Sequence, residues 1–167
     1  MEVRPAVSPE DLAHVRRLFR AFVTWHRARH TSDLDLIDAY FDESAWEQEL
    51  AGLPGAYAPP GGCLLLCWES GLALGCVALK RLDTESCELK RMFVAPTARG
   101  LGAGRALAVE IITRARDSGY HAMYLDTSVR QTEALALYRD LGFVEVEPYY
   151  EVPEAMLGWL VFFRLDL

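Results

Sequence analysis

A glycine cluster behind an arginine is the feature of the sequence that points most directly to chemistry. In ARGLGAGRAL, residues 98–107, Gly100, Gly102 and Gly104 follow Arg99 at the place where a strand-like run gives way to a helical one. Glycine weakens regular structure but lets the backbone approach a ligand closely. The free N–H groups at a helix N-terminus bind anions. The stretch therefore predicts a phosphate-binding turn.

Two other kinds of phosphate loop fit this stretch poorly. A Walker loop needs G-x-x-x-x-G-K-[ST], and no lysine follows these glycines. A dinucleotide loop needs G-x-G-x-x-G; counted from Gly100, Arg105 replaces the third glycine, although Asp126 follows at about the 20-residue spacing of a ribose-binding acid. The pattern that fits is R-G-x-G-x-G/A, in which backbone amides bind a pyrophosphate and Arg99 and Arg105 add positive charge.

Composition limits the size and class of the protein. The chain has 167 residues, 51% of them hydrophobic and 25% charged, which predicts one globular domain over residues 1–167. A formal charge of −7 argues against nucleic-acid or anionic-membrane partners and is compatible with a cationic small substrate. Because neither a secretory leader nor a membrane-spanning run is visible, we expect a cytoplasmic protein.

The cysteines and histidines do not form a metal-site pattern, so we expect no metal. All four cysteines stand in apolar, strand-like runs, where reduced thiols serve as small hydrophobes: Cys63, Cys67, Cys76 and Cys87. His26 and His30 lack the glutamate of a metalloprotease signature and are predicted to lie on a solvated helix face.

Hydrophobic periodicity predicts the elements that precede the glycine turn. Ser8 and Pro9 predict the start of a helix over SPEDLAHVRRLFRAFVTW, after a short strand in EVRPAV. A second, shorter helix is predicted over DESAWEQELAG. Three runs then predict an antiparallel meander: CLLLCWE, LALGCVALKRL and CELKRMFVA.

After the meander, helices and strands alternate. GRALAVEIITRARDSGY predicts a helix that ends at Gly119, and HAMYLDT predicts a strand parallel to CELKRMFVA. A further helix is predicted in SVRQTEALALYRDLG, where Ser128 and Gln131 have capping-box spacing and Gly142 fits a Schellman ending. FVEVEPYY and LGWLVFFRLDL predict two closing strands. The predicted fold is α/β, with a mixed, mostly antiparallel sheet flanked by helices.

The block CELKRMFVAPTARGLGAGRAL, followed by MYLDTS and ALALYRDLGF, resembles the GCN5-related N-acetyltransferase (GNAT) superfamily over about residues 87–143. The outer elements agree with that superfamily in order and type. The resemblance implies the single-domain GNAT fold, acetyl-CoA as co-substrate, and N-acetyltransferase activity by direct attack of an amine on the thioester. The alternative is a non-catalytic acyl-CoA-binding sensor module on the same fold.

The resemblance also implies how the co-substrate binds. The backbone around Met92, Phe93 and Val94 pairs with the pantetheine arm and offers an N–H to the thioester oxygen, which stabilises the oxyanion. Gln131 stands where many members have an asparagine that contacts the cofactor. The residues implied to bind the pyrophosphate are Arg99, Gly100, Leu101, Gly102, Ala103, Gly104 and Arg105.

Two residues are implied to be catalytic. Tyr138 matches a tyrosine that hydrogen-bonds or protonates the departing sulfur; the alternative is a core aromatic on the helix stripe. Glu88 matches a glutamate that deprotonates the amine, usually through water; the alternative is a salt bridge to a neighbouring lysine or arginine. Strand alternation predicts that Glu88 shares a face with Lys90, Met92 and Val94.

The sequence does not identify the acceptor. A small-molecule amine is favoured over a protein N-terminus or lysine because no peptide-binding extension is visible, and a homodimer stays open. Tyr149, Tyr150 and Glu151 are candidates for the border of the acceptor pocket, with rim packing as the alternative. An alkylammonium of pKa ~10.4 costs about 4–5 kcal/mol to deprotonate at pH 7, so the reaction needs a proton acceptor.

Overall fold

A seven-stranded sheet forms the centre of the protein, seen in a computed structural model that describes residues 1–167. The strands are β1 (Glu2–Pro5), β2 (Cys63–Glu69), β3 (Leu72–Arg81), β4 (Ser86–Val94), β5 (Ala122–Ser128), β6 (Val144–Val146) and β7 (Leu160–Asp166). The helices are α1 (Pro9–Arg29), α2 (Leu34–Tyr40), α3 (Glu43–Ala51), α4 (Ala103–Asp117) and α5 (Thr132–Asp140). None of these helices is long and apolar enough to cross a membrane.

The sheet order is β1-β2-β3-β4-β5-β7-β6, and only β4 and β5 are parallel. The predicted α/β class, the meander and the parallel crossover are thus confirmed. Helix α1 packs on one face of the sheet and α4 on the other, so a separate apolar core lies on each side of the sheet. All four cysteines are free, and three of them are buried.

The helix ends follow the sequence signals in most places. Ser8 caps α1 in a full capping box with Asp11, and Pro9 is the first helical residue, as predicted. Gly119 has a φ of +83°, and the N–H of Phe143 donates to the Tyr138 carbonyl at 3.0 Å, which confirms the stop of α4 and the Schellman ending of α5.

Two helix predictions were wrong or incomplete. Helix α5 begins at Thr132 with Gln131 as its N-cap, and Ser128 is not its cap, because Ser128 still pairs with Leu160 in the sheet. The Ser128 hydroxyl accepts from the Arg130 amide instead, at 3.0 Å. Helix α2 was not predicted at all, since its seven residues are too few for a clear helical period.

A bulge in β4 changes which side chains share a face. Cys76 pairs with Phe93, but Ala78 pairs with Lys90, so β4 carries one extra residue, and Arg91 adopts a φ of +57°. Lys90 therefore faces α2, where its Nζ lies 3.3 Å from the Tyr40 hydroxyl, together with Glu88. Met92 and Val94 pack on the α4 side. The predicted shared face of Glu88, Lys90, Met92 and Val94 was wrong, because alternation cannot count a bulged residue.

Two residues before Arg91, the middle of the sheet separates. Strand β4 pairs with β5 only through Ser86–Glu88, opposite Ala122–Tyr124. From Leu89 onward β4 has no partner on that side, while β5 continues to pair with β7 as far as Ser128. The resulting gap between two parallel strands lies directly before the glycine turn and α4.

Candidate functional site

Two adjoining cavities occupy the gap between β4 and β5. The first, here called the loop cleft, measures about 370 Å³ and is lined by residues that include Trp25, Val94, Arg99, Gly102, Gly104 and Leu137. The second, here called the inner cavity, is lined by residues that include His26, Tyr40, Lys90, Asp126, Tyr138 and Trp159. Both cavities share Phe22, Met92 and Gln131. The two cavities therefore adjoin at these three residues.

The glycine turn presents free backbone donors to the loop cleft. Gly100 and Gly102 have φ values of +77° and +83°, in the left-handed region that favours glycine. Gly102 is the N-cap of α4, which has no side-chain cap. None of the N–H groups from Gly100 to Arg105 donates to an acceptor within the protein. Unpaired backbone donors at a helix N-terminus are the groups that bind anions in proteins, so the geometry of the turn is compatible with the predicted role.

The structure brings only one of the two predicted arginines to the cleft. Arg99 lies over the Trp25 ring at 4.1 Å, and its Nε donates to the Val94 carbonyl at 3.3 Å. Arg105 pairs with Asp140 and lines neither cavity. The Leu101 side chain is exposed and lines neither cavity. Leu101 therefore contributes only its backbone to the glycine turn.

Three of the predicted β4 residues and Gln131 line the loop cleft. Met92, Phe93 and Val94 lie beyond the last pairing with β5, so the edge of β4 that faces the gap forms no sheet hydrogen bonds there. Gln131 lies at the start of α5 and touches both cavities. An extended ligand can therefore pair with β4 in the place of β5.

Tyr138 combines both roles that the sequence allowed. Its ring is buried against Phe143 and Phe163, at centroid distances of 5.6 and 6.2 Å. Its hydroxyl has no hydrogen-bond partner within the protein, and the residue lines the inner cavity. Burial, and after it the charge of Asp126, raises the pKa of Tyr138, so the hydroxyl stays protonated and able to donate.

Glu88 lies beside the inner cavity but lines neither cavity. Its side chain is 3% exposed and accepts from Lys80 at 3.1 Å, from Lys90 at 3.3 Å and from the Tyr149 hydroxyl at 2.7 Å. The salt bridge that was the alternative reading of Glu88 is therefore present, and a substrate would meet Lys90 before it met Glu88.

A largely buried ion pair holds the bulged residue Arg91. Arg91 donates to Glu49 on α3 through two bonds, Nε–Oε1 at 3.0 Å and Nη2–Oε2 at 2.7 Å. Its guanidinium also lies over the rings of Trp46 and Phe41, at 4.9 and 5.2 Å. These contacts hold a non-glycine residue in a left-handed conformation that costs roughly 1–2 kcal/mol.

We expect Glu49→Gln to lower the free energy of unfolding by about 3 kcal/mol, because it leaves the Arg91 charge buried without a partner. Glu47→Gln on the same helix is the matched control: its partner Arg20 is exposed, and we expect a loss of at most about 0.5 kcal/mol. Urea denaturation of both variants measures the difference. Equal losses would show that Glu49 does not anchor the bulge.

Sequence reasoning missed several residues of the inner cavity and misplaced one. His26 was predicted on a solvated face but is 1% exposed, because the end of α1 passes over the gap and packs on Trp159 at 6.1 Å between ring centroids. His30 is half-buried. The spacing of Trp25 and His26 from Phe22, three and four residues, was the signal that could have placed them on the apolar stripe.

The sequence suggested Asp126 only as a ribose-binding acid, and it gave no signal for Tyr40. The structure brings both into the inner cavity. Asp126 Oδ1 accepts from the Tyr40 hydroxyl at 2.7 Å, Oδ2 accepts from the Tyr150 hydroxyl, and Lys90 Nζ lies at 3.8 Å. No group of three His, Cys, Asp or Glu side chains in the protein is placed to hold a metal ion.

A family model described as the acetyltransferase (GNAT) family matches residues 18–143. The chain is also 40% identical over 123 residues to an uncharacterized N-acetyltransferase of Schizosaccharomyces pombe, a match that spans 72% of this chain and 74% of that protein.

Solved structures share the fold. The protein yncA of Salmonella typhimurium, solved with its cofactor acetyl-CoA, superposes with a TM-score of 0.65 at 22% identity, over 99% of this chain and 93% of that one. The PaiA N-acetyltransferase of Thermoplasma acidophilum, in complex with coenzyme A, gives a TM-score of 0.72 at 16% identity, over 99% and 98% of the two chains.

Proposed function

Because this chain belongs to the acetyltransferase (GNAT) family, we propose that it transfers the acetyl group of acetyl-CoA to a primary amine. One observation carries the proposal: Gly100, Gly102, Ala103 and Gly104, whose N–H groups are free, border a cleft that adjoins a second cavity containing a carboxylate. A chain with a phosphate at one end and a reactive group at the other fits this arrangement. The acetyl-CoA and coenzyme A bound by yncA and PaiA support it.

In this proposal, the turn binds the pyrophosphate through its amides, and Arg99 adds a positive charge at the cleft. The pantetheine arm pairs with Met92–Val94 along the free edge of β4. Gln131, which touches both cavities, takes the position of the family asparagine. The thioester then lies where the two cavities meet, and an N–H of β4 stabilises the oxyanion.

The reaction proceeds by direct attack. The ammonium first loses one proton to a base, and the amine lone pair then forms the C–N bond to the thioester carbon. As the C–S bond breaks, the sulfur leaves with its electron pair, and the second nitrogen proton ends on the thiolate. The products are an amide, CoA as a thiol, and one proton released to water.

Tyr138 stabilises the leaving thiolate with its free hydroxyl. A phenol near pKa ~10 gives its proton to a thiolate near ~8.5 only at a cost of about 2 kcal/mol, so a strong hydrogen bond is favoured over full early transfer. Glu88 is the base that the family resemblance suggests. Because Lys90 and Tyr149 surround its carboxylate, a proton from the inner cavity reaches Glu88 only through a relay.

We expect acetyl-CoA to raise the melting temperature of the protein, and NAD and ATP to leave it unchanged. At a ligand concentration of about 100 Kd, binding adds roughly 2.7 kcal/mol to the free energy of unfolding. A thermal shift with NAD and none with acetyl-CoA would overturn the proposal. A panel of amines, assayed for thiol release, then distinguishes an enzyme from a sensor that binds acetyl-CoA without turnover.

A further inference from the structure

The inner cavity contains one carboxylate that a substrate can contact. Asp126 lies two residues beyond Tyr124, the last residue of β5 that pairs with β4, and so stands at the point where the strands separate. Its side chain is 3% exposed and lines the cavity. Glu88, the other acid of this region, does not line the cavity.

Two phenols and one more distant lysine surround the Asp126 carboxylate. Both direct hydrogen bonds come from phenols, Tyr40 and Tyr150, while the nearest cation, Lys90, lies at 3.8 Å and donates to Glu88 at 3.3 Å. Burial, and after it the charge of Asp126, raises the pKa of both tyrosines, so these hydroxyls keep their protons and remain donors.

We propose that Asp126 is a catalytic residue that binds the ammonium group of the acceptor and takes its first proton. This inference rests on the proposed function. It assigns Glu88 a positioning role: the Glu88 carboxylate binds Lys80 and Lys90, and it holds Lys90 Nζ closer to itself, at 3.3 Å, than to Asp126, at 3.8 Å.

The cations of the inner cavity indicate the class of acceptor. Arg91 forms hydrogen bonds to both carboxylate oxygens of Glu49, and Lys90 forms an ion pair with Glu88. Neither cation is therefore free to bind a substrate carboxylate. Burial lowers the pKa of His26, which is therefore neutral near pH 7. An acceptor that carries a carboxylate beside its amine would bring a buried, unpaired charge, which is strongly unfavourable.

Three aromatic rings form part of the other walls, and one residue of these walls has an unsatisfied polar atom. Phe22, Phe41 and Trp159 line the cavity, and His26 Nδ1 is buried with no hydrogen-bond partner. A buried nitrogen without a partner is rare unless a ligand or water satisfies it. We therefore assign the acceptor to the alkyl- or arylalkylamines that lack a carboxylate, with the ammonium on Asp126 and the apolar part against the rings.

The proton transfers balance in this assignment. Asp126 takes one proton from the ammonium, which gives the neutral amine its lone pair, and returns that proton to water after the product leaves. Enclosure favours this step, because loss of hydration costs an ammonium and a carboxylate more than it costs a neutral amine and a carboxylic acid. The second nitrogen proton ends on the CoA thiolate.

The test compares two isosteric variants and two related ligands. We expect 2-phenylethylamine, titrated calorimetrically into the wild-type protein with CoA present, to bind at least about 30-fold more tightly than L-phenylalanine. Asp126→Asn should remove about 10-fold or more of the affinity for 2-phenylethylamine, while Glu88→Gln should remove less. The affinity for acetyl-CoA should change little in either variant.

Turnover supplies an independent measurement. We expect Asp126→Asn to lower kcat/KM for 2-phenylethylamine by about 10²–10⁴-fold, with a partial recovery as the pH rises toward the pKa of the amine, where free base no longer needs Asp126. A larger loss in Glu88→Gln than in Asp126→Asn, or equal use of L-phenylalanine and 2-phenylethylamine, would overturn the assignment.

The binding measurement separates this inference from the function on which it rests. If the amine binds through Asp126 but no thiol is released from acetyl-CoA, the transferase proposal fails and the ammonium site stands. If Asp126→Asn binds the amine as tightly as wild type, the site fails whatever the activity. Should that variant not fold, the wild-type protein is titrated with neutral 2-phenylethanol instead. Equal affinity of the wild-type protein for the alcohol and for the amine would overturn the site.

Discussion

Tyr138→Phe should lower kcat for the best amine by about 10²–10⁴-fold while leaving acetyl-CoA affinity and the melting temperature nearly unchanged. The change removes one oxygen that has no partner within the protein, and the ring keeps its packing on Phe143 and Phe163. A hydroxyl that stabilises the leaving thiolate acts in the transition state more than in the ground state. Steady-state kinetics, calorimetry and thermal melting measure the three quantities.

Tyr120→Phe is the matched control for that result. Tyr120 is also a buried tyrosine, but its hydroxyl donates to the Gly61 carbonyl at 2.7 Å and accepts from Arg81 at 3.1 Å, and it lines neither cavity. We expect this control to lose about 1 kcal/mol of stability and to keep its kcat. If Tyr138→Phe instead lost under about threefold in kcat, protonation of the thiolate would belong to water.

Gly102→Val should weaken CoA binding by about 100-fold or more. The residue has a φ of +83° and lines the loop cleft, and an added Cβ meets nothing closer than Met1 Cε at 4.0 Å, so the new side chain does not disturb the core. Valine resists this backbone conformation, and its methyl groups obstruct the approach of a phosphate to the amides. Each lost hydrogen bond to a charged group is worth about 1.5–3 kcal/mol.

Gly119→Val separates backbone strain from obstruction. Gly119 has the same φ of +83° and open space around its Cα, but it follows the other end of α4 and lines neither cavity. We expect both variants to lose similar stability and only Gly102→Val to lose CoA affinity. Equal CoA affinity in a folded Gly102→Val protein, measured by calorimetry, would show that the glycines serve only the turn.

Most signals that depend on neighbouring residues were reliable, although the capping-box spacing of Ser128 and Gln131 was misleading. The capping box of Ser8 and Asp11, the stops at Gly119 and Gly142, and the meander all follow from periodicity and turn chemistry, which act within a few residues. The phosphate turn belongs to this group, because its donors are backbone amides of consecutive residues. The sequence by itself therefore determined the fold class and one half of the candidate site, the glycine turn.

Only the tertiary structure decided the other half. The bulge at Arg91 depends on Glu49, which is 42 residues away in the chain, and it moves Glu88 and Lys90 to the face opposite Met92. Asp126 becomes a cavity residue because β5 leaves β4 at that position and Tyr40 crosses from α2 to meet it. Neither event has a local signature, since each results from side chains that are distant in sequence and competing for one buried space.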